Sequence, residues 1–171
     1  MPINIIEFKA SVKNSGKLET LLKSMNPVFK GEDHQLDTYF NVQHGRLKLR
    51  EGNIENALIW YDRPDEKGSK LSQVLLYKHA QDAALKNILT TVHGVKVVVD
   101  KLRRIYFIDN VKFHFDEVKE LGTFIEVEAI DETGSLGINK LQQQCDHYAL
   151  LFNLQPEDYV AVSYSDLLLK H

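Results

Sequence analysis

Residues 111–129 read VKFHFDEVKELGTFIEVEA, and along both halves of this stretch the side chains alternate in kind. Phe113 and Phe115 lie on one side with His114 and Asp116 on the other; further on, Ile125 and Val127 oppose Glu126 and Glu128. A period of two marks extended strands with one apolar and one polar face. The same alternation recurs elsewhere, and the polar faces are largely sorted by sign. Arg46, Lys48 and Arg50 oppose Leu47 and Leu49, Lys101 and Arg103 share a face after the apolar run 97–99, and Glu7 and Lys9 alternate with Ile6 and Phe8. Any one such face is ordinary solvent-facing charge. As a set they are not, because like charges along a strand repel and mixed signs would make a better surface. Faces sorted in this way make sense if they converge on a ligand, basic strands on an anion and paired carboxylates on a hard divalent cation.

Turn residues punctuate the chain at short intervals, among them His44-Gly45, Gly52-Asn53, Asp109-Asn110 and Thr133-Gly134-Ser135. The stretches between them predict strands over 3–12, 35–41, 46–50, 56–63, 73–78, 96–106, 111–118 and 123–130. Three segments place apolar residues at helical spacing instead: 16–25, 82–92 with Gly94 as its stop, and 138–152 with Pro156 beyond its end. These stripes are expected to pack on a sheet, and Cys145, on the third, is expected in the core rather than as a nucleophile. The class is therefore α+β. Closing the strands into an antiparallel barrel of about eight turns the charged faces inward and the apolar faces out beneath the helices, leaving room for side chains or one small ligand. Interior charge of that density calls for neutralisation by metal and substrate.

Composition narrows the function classes. A chain of 171 residues, 43% apolar and 26% charged, has the profile of one soluble globular domain spanning 1–171. One cysteine excludes an internal disulfide and a thiolate metal cage, so a cytoplasmic protein is expected. No apolar run approaches the roughly 20 residues of a membrane-spanning helix, and the start, MPINIIEFKASVK, does not read as a signal peptide. With a net charge of −3, no nucleic-acid coat is expected, and an anion must be met by locally concentrated positive charge.

The stretches IIEFKA, QLDTYF, GRLKLRE, LIWYDRP, VVDKLRRIYF, KFHFDEVKELGTFIEVEA and PEDYVAVSYSDLL follow one another in an order that resembles the CYTH superfamily, the triphosphate tunnel metalloenzymes. Their wording is most similar to its class IV adenylate cyclase branch. The resemblance implies an eight-stranded antiparallel barrel flanked by helices. It implies phosphate binding by Lys9, Arg46, Lys48, Arg50, Arg63, Lys70, Lys101 and Arg103, with Lys9, Arg50, Lys101 and Arg103 as the catalytic set. It also implies Mg²⁺ or Mn²⁺ held by Glu7, Asp116, Glu126 and Glu128, and it allows a homodimer. The first Glu of the family's amino-terminal Glu-x-Glu-x-Lys signature is replaced by Ile5, which cannot ligate a metal and leaves one of two metal sites in question.

The expected function is metal-dependent processing of a small-molecule triphosphate, foremost conversion of ATP to cyclic AMP and pyrophosphate. The alternatives are hydrolysis of inorganic or thiamine triphosphate, and a protein that binds nucleotide or polyphosphate without turnover. In all of these, positioning and charge stabilisation do most of the work. His114 beside a metal-binding carboxylate is expected as a supporting partner, and Trp60, Tyr61 and Tyr106 as packing.

Overall fold

The barrel closes. In a computed structural model that describes residues 2–170, the strands are β1 (Ile3–Ser11), β2 (Val28–Phe40), β3 (Arg46–Glu51), β4 (Asn56–Asp62), β5 (Lys70–Lys78), β6 (Val95–Ile108), β7 (Val111–Val118) and β8 (Gly122–Asp131). They hydrogen-bond in the order β1-β5-β4-β3-β2-β6-β7-β8 and return to β1, every pair antiparallel. Closure follows from β1 pairing on both edges, so that Glu7 lies across from Lys70 on one side and Glu128 on the other. With no free edge, the period-two pattern of each strand has only an inside and an outside.

The outside is apolar where helices cover it. Helices α1 (Ser15–Lys23) and α3 (Ile138–Leu151) lie over the outer faces of β1, β6, β7 and β8. The core between them joins Ile6, Phe8, Phe113, Phe115, Ile125 and Val127 to Leu22, Leu141, Cys145 and Phe152. Helix α2 (Ala83–His93) covers a smaller cluster of Phe40, Leu49 and Leu89. It starts at Asp82, whose carboxylate accepts from the Ala84 amide at 2.8 Å, and stops at Gly94 with φ 74°, where a side chain would be strained. The Cys145 thiol is buried, donates to the Ile6 carbonyl at 3.2 Å, and is pushed up to about 12 by burial, so it stays protonated and inert.

Two elements differ from the sequence expectation. Strand β2 begins at Val28 rather than near residue 35, pairing with β6 through a bulge between Phe29 and Gly31. The bulge breaks the alternation that would have revealed it, and Gly31 sits at φ 131° where the Ile54 side chain comes within 2.7 Å of any added Cβ. A short helix α4 (Tyr164–Leu169) was also not foreseen, because one and a half turns carry no readable stripe. Ser163 and Asp166 cap it reciprocally. Among the described residues no helix is long and apolar enough to cross a membrane.

The segment bearing α4 closes one end of the barrel. The Val160 amide donates to the Lys9 carbonyl at 2.9 Å, the Tyr61 and Ser163 hydroxyls meet at 2.8 Å, and Arg46 donates to Asp166 at 2.7 Å. The other end opens to solvent beside Lys30, Lys78 and Glu132, all exposed. Among the described residues, the interior is a cup that opens at this end.

The outer core is the element that holds the cup in shape. Leu141→Ala removes a side chain with no solvent exposure and is expected to cost about 2–5 kcal/mol in urea unfolding, against less than about 1 kcal/mol if α3 merely rests on the sheet.

Candidate active site

The inward faces of the strands enclose a cavity of about 750 Å³. Glu7, Lys9, Lys48, Arg50, Arg63, Lys101, Arg103, Glu126 and Glu128 line it, drawn from β1, β3, β6, β8 and the residue after β4. Three expected site residues do not line it. Arg46 turns to the closed end, where Asp65 and Asp166 hold it at 3.0 and 2.7 Å. Lys70 is buried across from Glu7 towards the closed end and donates to the carbonyls of Glu66 and Ala161. Asp116 has its oxygens occupied: Arg103 donates to both at 2.7 Å and the Tyr164 hydroxyl to one at 2.6 Å.

Buried cations on this scale need counter-charge, and Asp37 supplies most of it. Its fully buried carboxylate accepts from Arg50 Nε and Nη2 at 2.9 and 2.8 Å and from Lys101 Nζ at 2.6 Å, with Lys48 Nζ at 3.3 Å. Burial alone would raise the Asp37 pKa, but Arg50, Lys101 and Lys48 together hold it well below the usual carboxylate range. Glu55 plays a like part nearer the mouth, bridging Arg50 and Lys112 at 3.3 and 2.5 Å. The bidentate Asp37–Arg50 and Asp116–Arg103 pairs set each guanidinium plane, so those side chains reach the cavity in one orientation.

Desolvation by burial, with Arg103, Arg50 and Lys48 adding to it, brings Lys101 down to about 7 against the opposing pull of Asp37. Its ammonium can thus lose a proton near neutral pH. Burial likewise lowers Lys9, whose Nζ lies 3.5 Å from Glu126 and 3.9 Å from the centre of the Tyr164 ring.

Two carboxylates, one of them paired with Lys9 and Arg103 at 3.5 and 3.6 Å, meet an imidazole on the same wall. His114 Nδ1 faces Glu126 at 3.4 Å and Glu128 at 3.8 Å, and candidate ligand atoms of the three residues lie within 4.8 Å of one another. Burial, with Arg103, lowers the His114 pKa, so the ring is neutral and offers a lone pair at neutral pH. Its buried Nε2 has no hydrogen-bond partner among the described residues. Glu126 is held ionised: burial would raise it, but Lys9 and Arg103 keep it well below its usual range. One neutral imidazole and two carboxylates make a nitrogen–oxygen donor set that suits a divalent ion, and the imidazole suits Mn²⁺ better than Mg²⁺. Glu7 lies next to this group in register with Glu128 and is engaged by Arg63. The donor set thus differs from the expected one, with His114 in and Asp116 committed elsewhere.

Sequence reasoning did not single out Asp37, Glu55, Lys112, Ser163 or Tyr164. Lys112 had a readable signal, since it shares the face of His114 and Asp116. Asp37 lies inside a quoted motif, but nothing local shows that it meets cations from β3 and β6. Ile5, in place of the signature Glu, faces the cavity and packs with Ile59 and Val74 in an inner apolar cluster.

The CYTH domain matches residues 4–164 of the chain. A solved protein of Pyrococcus horikoshii OT3 has the same fold, with a TM-score of 0.78 at 23% identity over 98% of this chain and 99% of that one. A candidate adenylate cyclase of Vibrio parahaemolyticus gives 0.78 at 19% identity over 96% and 97% of the two chains. A Hippeastrum protein whose structure is described as revealing a dominant triphosphatase activity gives 0.61 at 13% identity over 99% and 94%. No curated protein sequence matches.

Two outcomes follow from the charge arrangement. Asp37→Asn strands Arg50, Lys101 and Lys48 without their shared counter-ion and is expected to cost about 3–5 kcal/mol in thermal or urea unfolding. Added tripolyphosphate should then recover more stability in the variant than in the parent protein, and equal recovery would count against an anion site here. Lys101 is cationic below about 7 and neutral above, so tripolyphosphate affinity should weaken as pH rises through that value. Calorimetry should show this step removed in Lys101→Met.

Proposed function

The chain belongs to the CYTH domain family, and from that premise we propose that it is a metal-dependent enzyme cleaving the phosphate chain of a small-molecule triphosphate by attack of water. The observation that carries this is the pairing, inside one cavity, of oriented cations with the His114–Glu126–Glu128 group. A polyphosphate needs both, because its charge exceeds what the partly neutralised cations can balance. The whole of 1–171 acts in this reading as a single CYTH-like unit.

Each side chain has a part that follows from its position. Lys9, Lys48, Arg50, Lys101 and Arg103 bind the phosphate oxygens, and Asp37 and Asp116 hold the two arginines ready so that little reorganisation remains at the moment of reaction. His114, Glu126 and Glu128 would hold Mn²⁺ or Mg²⁺, with Glu7 in reserve beside them. Such an ion supplies charge stabilisation on the phosphoryl oxygens. Lys101 Nζ, titrating at about 7, can hand its proton to the departing phosphate. Tyr164 and Ser163 close the far end, so substrate enters and product leaves by the mouth.

Hydrolysis is favoured over cyclisation by the wall below the mouth, which is largely isoleucine, valine and leucine, with Lys30, Lys78 and Glu132 at the exposed rim. The dominant triphosphatase activity described for the Hippeastrum protein points the same way for that protein. A small-molecule partner fits a one-mouthed cup of this size, and a cytoplasmic setting accords with the free buried thiol.

A product screen decides. With Mn²⁺ or Mg²⁺ and triphosphates, orthophosphate release is expected; cyclic AMP from ATP would install the cyclase reading, and tight binding without product the non-catalytic one. Glu126→Gln together with Glu128→Gln is expected to lower metal-dependent turnover by more than about a hundredfold, since weaker perturbations around bound metals already cost 10–100-fold. Unchanged turnover in that variant would remove the assignment.

A further inference from the structure

The cavity is divided around its circumference. Most of the ionic side chains come from β3, β2, β6, β7 and the inner halves of β1 and β8, whereas the sector running from β8 across β1 and β5 to β4 is largely alkyl. Three cross-strand pairs build it side by side: Ile130 with Ile5, Ile3 with Val74, and Leu76 with Ile59. The belt starts one inward step towards the mouth from Glu7 and Glu128, about 7 Å along the strand. Its deep members are nearly buried, Ile5 at 8% and Ile59 at 7% exposure, while Leu76 at the mouth is 40% exposed. Among the described lining residues of this sector the interruptions are Ser72 beside Ile5, Asn56 and Tyr61 on β4, and Lys78 on β5, the last exposed at the mouth.

An all-oxygen phosphate chain gains nothing from such a wall, and a sugar or purine would leave its polar groups unpaired against it. An alkyl chain gains from every methylene it buries there. We propose that the ligand is a phosphate-chain ester of an apolar alcohol, an alkyl or prenyl diphosphate or triphosphate. Its organic group lies along the belt and its phosphates lie among Lys9, Lys48 and Arg50. This rests on the phosphate site assigned above and names the organic part that the assignment leaves open.

Calorimetric titration of the full chain in the presence of Mn²⁺ tests it, with tripolyphosphate, ATP, and dimethylallyl, geranyl and farnesyl diphosphates as probes. Affinity should rise along the prenyl series by up to about fourfold per methylene that becomes buried, and geranyl diphosphate should bind more tightly than ATP. Val74→Thr, nearly isosteric, and Ile5→Thr should weaken geranyl diphosphate by about tenfold or more while leaving tripolyphosphate affinity within about twofold. The tripolyphosphate titration and the melting temperature show that each variant is folded. Affinity that is flat along the series, or ATP binding more tightly than every prenyl ester, with tripolyphosphate still bound, overturns the proposal and leaves the phosphate site standing. Failure of tripolyphosphate and every ester to bind overturns both.

Discussion

Asp37 sits fully buried inside the barrel with Arg50, Lys101 and Lys48 converging on its two oxygens, and the rest of the interior is arranged around that contact. Closing an antiparallel sheet forces one face of every strand into a space where water is scarce, so the charges there must balance one another. Asp37, Glu55 and Asp116 do this for the arginines and for Lys101 and Lys112. They also give the cations fixed directions. A protein that needed only stability would be served as well by apolar side chains of similar volume. Retaining so much charge at the centre makes sense as preparation for an anion.

The same closure makes the cavity asymmetric in two ways. Along its axis, the segment ending in α4 seals one end through Tyr61–Ser163 and Tyr164–Asp116 hydrogen bonds. Around its circumference, the ionic strands face an alkyl sector on β1, β4, β5 and β8. A ligand with a charged head and an apolar tail matches both asymmetries at once, head towards the sealed end and tail towards the mouth. The metal-compatible group of His114, Glu126 and Glu128 stands at the junction, where Glu128 and Ile130 are successive inward residues of β8.

Much of this was legible in the sequence, for a physical reason. Period-two alternation with sorted charge reports both the strands and which face matters, so Lys48, Arg50, Arg103, Glu126 and Glu128 could be placed on one interior before any coordinates. What local pattern could not convey was partnership between distant strands. Asp116 and Arg103 face each other across β6 and β7, and their mutual pairing takes Asp116 away from a metal. Arg46 follows the alternation of Lys48 and Arg50 yet lies beyond the sealed end, held by Asp166 of a helix too short to read. The Ile5 departure looked like the loss of a ligand. In three dimensions it is one member of a largely alkyl wall, a property that depends on β8 and β5 flanking β1 and on β4 following β5.

Joint binding of a phosphate chain and a divalent ion inside the barrel is what the proposed function requires. Co-crystallisation with tripolyphosphate and Mn²⁺, with anomalous diffraction at the manganese edge, tests it most directly. One manganese peak is expected among His114 Nδ1, Glu126 and Glu128, with phosphate density running from it towards Lys9, Lys48 and Arg50. Phosphate bound on the outer surface, or manganese bound away from that group, would contradict it.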